Sequence, residues 1–544
     1  MDGPLVSRYL TLTCTWAGGL VSICSFGGIP PTWFRSHCQQ LRWTGYQDDW
    51  RSVAWRPAHF GKRFVSMSTA AVLAEEQKGE SGAVIWLRAG GALLGVMAAI
   101  GLWYADLPLE PNAQHSIAIA TLLISFWITE ILPHAITGML GCWLFWTLGV
   151  VAPRVALGGF SSDAPWFLLG ALFIGAMATE SGLAKRLAYT MLSRVGASFP
   201  RILMAFILTD FVMTFMIPAG PPRVILLGTI ILGVVKTYGL ERSSNVGKSL
   251  MLAITFSASL FDRCIIGSTP SILARNLITE FGHVPVSWSQ WFIAYAPLDL
   301  LSIVISWWFL QRMFPPETSE LPGGIASIRK DKARLGPWTS SEKRAAFWIV
   351  VGVSIWATDF IHHLNPAIVG VGVGLVATFP RVGVLTKDHI GKINFLIFLF
   401  MGSTISIAEV LRETGAVRVL AGVLFGYIGP MITTTFHSTL VLYWAAFVAH
   451  LVLASETAMV SISMPALMEF ALNNGLNPLA IGMLWTFAVG GKLFIYQSLV
   501  LIAGYSFGCF NARDVLRLGA FYLIVENLML LILVTFYWPL IGIG

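Results

Sequence analysis

From Ile85 onward the chain is a succession of apolar segments separated by short polar breaks. Each lies near the ~20 residues that an α-helix needs to cross a bilayer. In the first part they run at about 85–105, 115–132, 134–152, 164–181, 201–218, 223–240, 249–267 and 290–313. In the second they run at about 345–361, 366–380, 393–410, 417–437, 439–455, 457–472, 478–492, 494–510 and 516–541. Several are too short, or too interrupted by Gly and Pro, to cross alone. Backbone broken at membrane depth is tolerated only where it lines a cavity within the protein. The pattern predicts an all-α polytopic membrane protein, with about 11–12 transmembrane helices plus two re-entrant hairpins in an inverted repeat.

The longest polar gap, 314–344, divides the apolar sequence into two nearly equal parts, 67–313 and 345–544. From Arg312 to Arg344 it carries Arg329, Lys330, Lys332, Arg334 and Lys343, so it is expected in the cytoplasm. The loop at 106–115 holds Asp106 and Glu110 but no Lys or Arg, which puts it outside and the N-terminus inside. A bacterial-type inner membrane is the expected location. Residues 1–66 have another texture. They contain no Glu, hold Cys14, Cys24 and Cys38, and lack any run of spanning length. They are expected to be a disordered or artefactual extension, with the working chain starting near Met67.

Composition narrows the class further. Hydrophobic residues make up 56% of the chain and charged residues 12%, with a mean hydropathy of +0.73. Soluble chains carry about 25% charged residues, so neither a soluble nor a disordered protein fits. The net charge of +7 is explained by cytoplasmic loops, and no nucleic-acid partner is expected. Six scattered Cys suggest neither a disulfide framework nor a zinc site. No phosphate-binding loop and no His-Glu-x-x-His pair occurs, and the adjacent His362 and His363 point about 100° apart on a helix. An enzyme is therefore not expected. What remains are charges within apolar segments, where each costs at least ~2.5 kcal/mol: Glu130, Asp210, Arg223, Asp262, Arg263, Glu409, Glu456 and Lys492.

At 125–133 the chain reads Ser-Phe-Trp-Ile-Thr-Glu-Ile-Leu-Pro. This resembles the Trp-x-Thr-Glu-x-x-Pro signature of the divalent anion/sodium symporter family. Leu335-Gly336-Pro337 with Ser341-Glu342-Lys343 resembles that family's linker between halves, and 402–415, with Glu409, Leu411 and Thr414, a further conserved stretch. The likeness covers most of 115–542. It implies hairpin tips bearing Ser-Asn-Thr and unwound segments bearing Thr-Pro-Pro-Asn or similar, one of each per half. It also implies a homodimer, and a fold that carries dicarboxylates, tricarboxylates or sulfate.

Ser455-Glu456-Thr457 falls at the second-half tip, with Glu456 in place of the family's Asn, and Pro465 follows. Hydroxyls, exposed N–H groups and the positive end of a helix suit an anion. Glu456 repels one unless a proton, a metal cation or a basic side chain sits on it. At the first-half tip, Pro218-Ala219-Gly220-Pro221-Pro222-Arg223 keeps Pro and Arg but offers no side-chain oxygen, so sodium coupling there is not expected. Arg223 reads either as a ligand for a substrate carboxylate or as a structural partner of Asp210 or Asp262. Gly267-Ser268-Thr269-Pro270-Ser271 is the first unwound segment, and Tyr496-Gln497-Ser498, just after Lys492, falls at the second, where Gln497 reads either as a carboxylate ligand or as interhelical glue.

The expected function is alternating-access transport of small divalent anions, coupled to a cation or run as exchange. Ser455, Thr457, Ser268, Thr269, Arg223, Gln497 and Ser498 are the expected substrate contacts, and Glu456 the coupling carboxylate. The coupling ion is a proton or sodium, the latter near Ser455 and Thr457; no other cofactor is expected. The rival readings are transport of another oxyanion such as arsenite on the same fold, and a membrane sensor that does not transport.

Overall fold

The computed structural model describes residues 82–543, apart from positions 197, 238, 319, 321–325, 433 and 454. The extension expected at 1–66 lies outside the described residues. Among those described the structure is helical, with a single isolated β-bridge between Ser198 and Glu320. A leading helix α1 (Gly82–Tyr104) precedes two sets of elements that repeat in the same order.

The first set is α2 (Pro111–Thr129), α3 (His134–Thr147), α4 (Asp163–Glu180), α5 (Leu183–Leu192), α6 (Phe199–Thr214), α7 (Gly220–Thr237), α8 (Asn245–Cys264), α9 (Thr269–Gly282) and α10 (Trp288–Met313). A linker helix α11 (Ala326–Arg334) follows. The second set is α12 (Ser340–Ala357), α13 (Pro366–Val376), α14 (Leu396–Glu413), α15 (Ala416–Phe425), α16 (Thr435–His450), α17 (Glu456–Asn473), α18 (Pro478–Ala488), α19 (Leu499–Tyr505) and α20 (Ala512–Ile532). Corresponding helices match in length: α4 and α14 have 18 residues, α5 and α15 have 10, α6 and α16 have 16, α7 and α17 have 18. At the joints of α4–α5 and α14–α15 stand Gly182 and Gly415, with φ of 85° and 73°. Only a residue without a Cβ takes that conformation freely.

Packing follows the repeat. Helix α4 of the first half lies on α13 of the second, while α3 lies on α14; α9 lies on α17, while α7 lies on α19. Such reciprocal pairing is what a two-fold relation between halves produces. Small residues allow the closest crossing. A Cβ on Gly170 would collide with the Gly370 carbonyl, and one on Gly374 would stand 3.0 Å from the Gly170 Cα. Where lipid removes the hydrophobic drive between helices, this kind of contact holds them. Gly170→Ala is therefore expected to lower the melting temperature of detergent-purified protein, since overpacking costs about 1–3 kcal/mol. Gly233→Ala, which meets open space, should leave the melting temperature unchanged.

Among the described residues, four helices are long and apolar enough to cross a membrane singly, and α4–α5, bent by 64°, adds a fifth if it is one span. Three apolar helices are shorter, at Pro366–Val376, Phe436–Val452 and Pro478–Ala488. Two segments differ from the sequence expectation. The stretch expected to span at 417–437 stops at Phe425, before Gly426, Gly429 and Pro430, and 494–510 is helical as α19 only from Leu499 to Tyr505. In the first of these, Gly and Pro withhold the side-chain packing and N–H bonds that would carry the helix on.

The linker is anchored to the first half. Arg186 on α5 bonds Glu342 at 2.7 Å and donates to the carbonyls of Leu335, Gly336 and Pro337 at 3.2, 3.0 and 3.1 Å. Glu342 also closes the cap of α12 with Thr339.

Candidate functional site

The first tip joins α6 to α7 through residues 215–219. Pro221 and Pro222 have no N–H to donate, and the Gly220 N–H is taken by Asp262 Oδ2 at 2.9 Å. One turn into α7, Arg223 is wholly buried. Its Nε bonds Asp210 Oδ1 at 3.0 Å and its Nη1 bonds Asp262 Oδ1 at 2.9 Å. Its remaining bonds go to the carbonyls of Ile217 and Ala258, both at 3.0 Å. Ser257 donates to the other Asp210 oxygen at 2.8 Å. Of the two sequence readings of Arg223, the structure takes the structural pair. Asp210 and Asp262 hold the guanidinium between them. A side chain at 220 would meet Asp262 Oδ2 and Val500, which accounts for the absence of a Ser or Asn there.

The first break, at 265–267, separates α8 from α9. Ser268 caps α9, and its hydroxyl is occupied by the Asp262 carbonyl and by Ser271 Oγ. Burial and capping leave Ser268 little capacity for a ligand, whereas Thr269 beside it is half-exposed. A hollow next to this tip, lined by Thr214, Phe215, Pro218, Gly267, Trp288 and Trp356, is apolar and supplies few donors to an anion.

The second tip, 451–455, joins α16 to α17. Ser455 caps α17 by accepting from the Ala458 N–H at 3.3 Å. Glu456 forms a close ion pair with Lys492, which also contacts Ser259 Oγ on α8. Thr457 is half-exposed, like Thr269. The second break runs from 489 to 498. Because it is unwound, Lys492 does not stand one helical turn before Tyr496 but reaches across to α17. Gln497 is fully buried. Its Oε1 accepts from the N–H groups of Leu493 and Phe494 at 2.7 and 2.8 Å, and its Nε2 donates to the His450 carbonyl at 3.3 Å. The amide thus stitches the break to the end of α16. Ser498 caps α19.

The two tips belong to one charged centre. Asp262, bound to the first tip, lies within electrostatic reach of Glu456 and Lys492 at the second. Next to them, Arg263 forms a two-pronged pair with Glu526 of α20, at 3.1 and 3.2 Å, and donates to the Phe487 carbonyl at 2.8 Å. Gly490 makes room for it, since a Cβ there would overlap the Arg263 side chain. Sequence reasoning missed Glu526 and His450. The same signal, a titratable residue inside an apolar run, marks both.

Two sets of helices that interlock reciprocally, and whose members break around shared charges, form the architecture of a secondary transporter. The chain belongs to the sodium:sulfate symporter family, matching the model of that transmembrane region over residues 88–543. It is a multi-pass membrane protein. It is 27% identical over 469 residues to a membrane protein of Cupriavidus necator, covering 80% of this chain and 89% of that one. To the L-tartrate/succinate antiporter of Shigella sonnei it is 24% identical over 484 residues, covering 83% and 97%. Its fold is similar to the crystal structure of the Alcanivorax borkumensis YdaH transporter, with a TM-score of 0.51, 16% identity, and 79% and 100% of the two chains covered.

Proposed function

We propose that this protein exchanges small dicarboxylates across a bacterial inner membrane by alternating access, without sodium. The observation that carries this reading is the pair of built-in cations. Arg223 occupies the first tip between Asp210 and Asp262, and Lys492 occupies the second against Glu456. A sodium ion at either tip would sit beside a guanidinium or an ammonium, which repels it. An antiporter needs no external ion gradient, and a relative of nearly the same length is named as one for L-tartrate and succinate.

The half-buried Thr269 and Thr457, at the positive ends of α9 and α17, offer hydroxyls to a carboxylate. Lys492 supplies the fixed positive charge. An arriving carboxylate competes with Glu456 for that ammonium, so Glu456 gates the site instead of binding the anion. The tips act as re-entrant hairpins that move with the broken helices against α4 and α14. The basic linker faces the cytoplasm, as does the N-terminus, and two copies form the working dimer.

Counterflow in proteoliposomes tests this. Liposomes loaded with succinate or tartrate should take up labelled succinate equally with and without a sodium gradient, and empty liposomes should take up little. Uptake into empty liposomes driven by sodium, or counterflow only with sulfate inside, would overturn the reading.

A further inference from the structure

His450 is the last residue of α16, and its side chain is completely buried. Neither ring nitrogen makes a hydrogen bond. The Gln497 main chain lies beside the ring. A buried imidazole whose ring nitrogens both lack a hydrogen bond is costly to keep, which points to a further group that it receives.

Its surroundings indicate which ligand. From α17 it faces Glu456, from the second break Lys492, and from α8 Arg263. Helix α18, which packs on α16, presents no titratable side chain. Helix α20, also packed on α16, presents Glu526, already bonded to Arg263, and Tyr522, bonded to Ser306. On α16 itself, Tyr443 donates to the Leu523 carbonyl. The connected charges do not balance. Four carboxylates, Asp210, Asp262, Glu456 and Glu526, share three cations, Arg223, Arg263 and Lys492. When a dicarboxylate takes Lys492 from Glu456, that deficit grows inside a medium that stabilises charge poorly.

We propose that His450 is a proton-binding site that fills as the dianion binds. Resting on the exchange reading above, it makes the substrate of this site a dicarboxylate taken together with one proton. The step is a protonation only. A proton from solvent adds to an idle ring nitrogen while the site is open, imidazole becomes imidazolium, and no other bond forms or breaks. The new positive charge then faces Glu456, freed from Lys492. Imidazole is the side chain whose ordinary titration range lies near neutral pH, which suits a reversible site of this kind.

The test is calorimetric titration of succinate into the purified full-length protein, in buffers of equal pH but different ionisation enthalpy. The buffer dependence of the heat reads protons taken up per ligand bound. The expected result is about one proton per succinate, falling to near zero in His450→Gln or His450→Asn with succinate binding retained. Binding without proton uptake by the unmodified protein, or unchanged uptake in both variants, overturns the proposal and leaves the exchange reading standing. Absence of binding by both succinate and tartrate removes the dicarboxylate reading and this inference with it. If neither variant folds, the buffer comparison on the unmodified protein still decides whether a proton enters with the anion.

Discussion

Arg223→Ala is expected to cost the protein its fold and not merely its activity. The guanidinium is enclosed and bonded to Asp210, Asp262 and two carbonyls. Removing it strands the Asp210 carboxylate, itself fully buried, with only the Ser257 hydroxyl as a side-chain partner. Breaking one side of a buried pair costs about 3–5 kcal/mol, a large share of the roughly 5–15 kcal/mol that holds a protein folded. The expected observation is aggregation on extraction, or a melting temperature well below that of the unmodified protein. Arg223→Lys should recover little, because an ammonium cannot fork to both carboxylates and the carbonyls. Should Arg223→Ala melt normally yet fail to bind succinate, the guanidinium would be a substrate ligand after all.

The second large effect is expected at Lys492. Lys492→Met leaves Glu456 buried without its cation, and exchange should fall by about 10²–10³-fold, the rate equivalent of losing most of such a pair. Glu456→Gln should also slow exchange, because Lys492 is then left without its gate. The double variant separates architecture from function. Replacing both members restores electrical balance, so melting should return towards the unmodified value, whereas exchange should stay low because no ammonium remains to receive the substrate. A double variant that exchanges at the original rate would show that the pair is only a brace.

How far the sequence could be read depends on which residues are asked about. Apolar segment lengths are set by the bilayer, so the helical class was legible in the runs at 85–313 and 345–544. A break was expected at Gly267–Ser271 from its Gly and Pro, and the structure places it at 265–267, just before Ser268 caps α9; the tip at Ser455 was expected from the family resemblance. Arg223 was recognised as out of place for lipid, but its two readings could not be separated by spacing. Its partners Asp210 and Asp262 lie 13 and 39 residues away on other helices. Gln497 could not be separated into its two readings for a similar reason, because an amide that binds carboxylates and one that ties an unwound strand to α16 look alike in sequence.

The sequence by itself determined that this chain lives in a membrane, that its helices break, and which charged side chains need a reason to be there. Hydropathy and backbone stereochemistry are local, and they act wherever the residue finds its neighbours. Tertiary structure alone decided who neutralises whom: Lys492 with Glu456, Arg263 with Glu526, and His450 with no partner. Those choices are made by electrostatics and burial across the interlocked halves, between groups 36 to 263 residues apart.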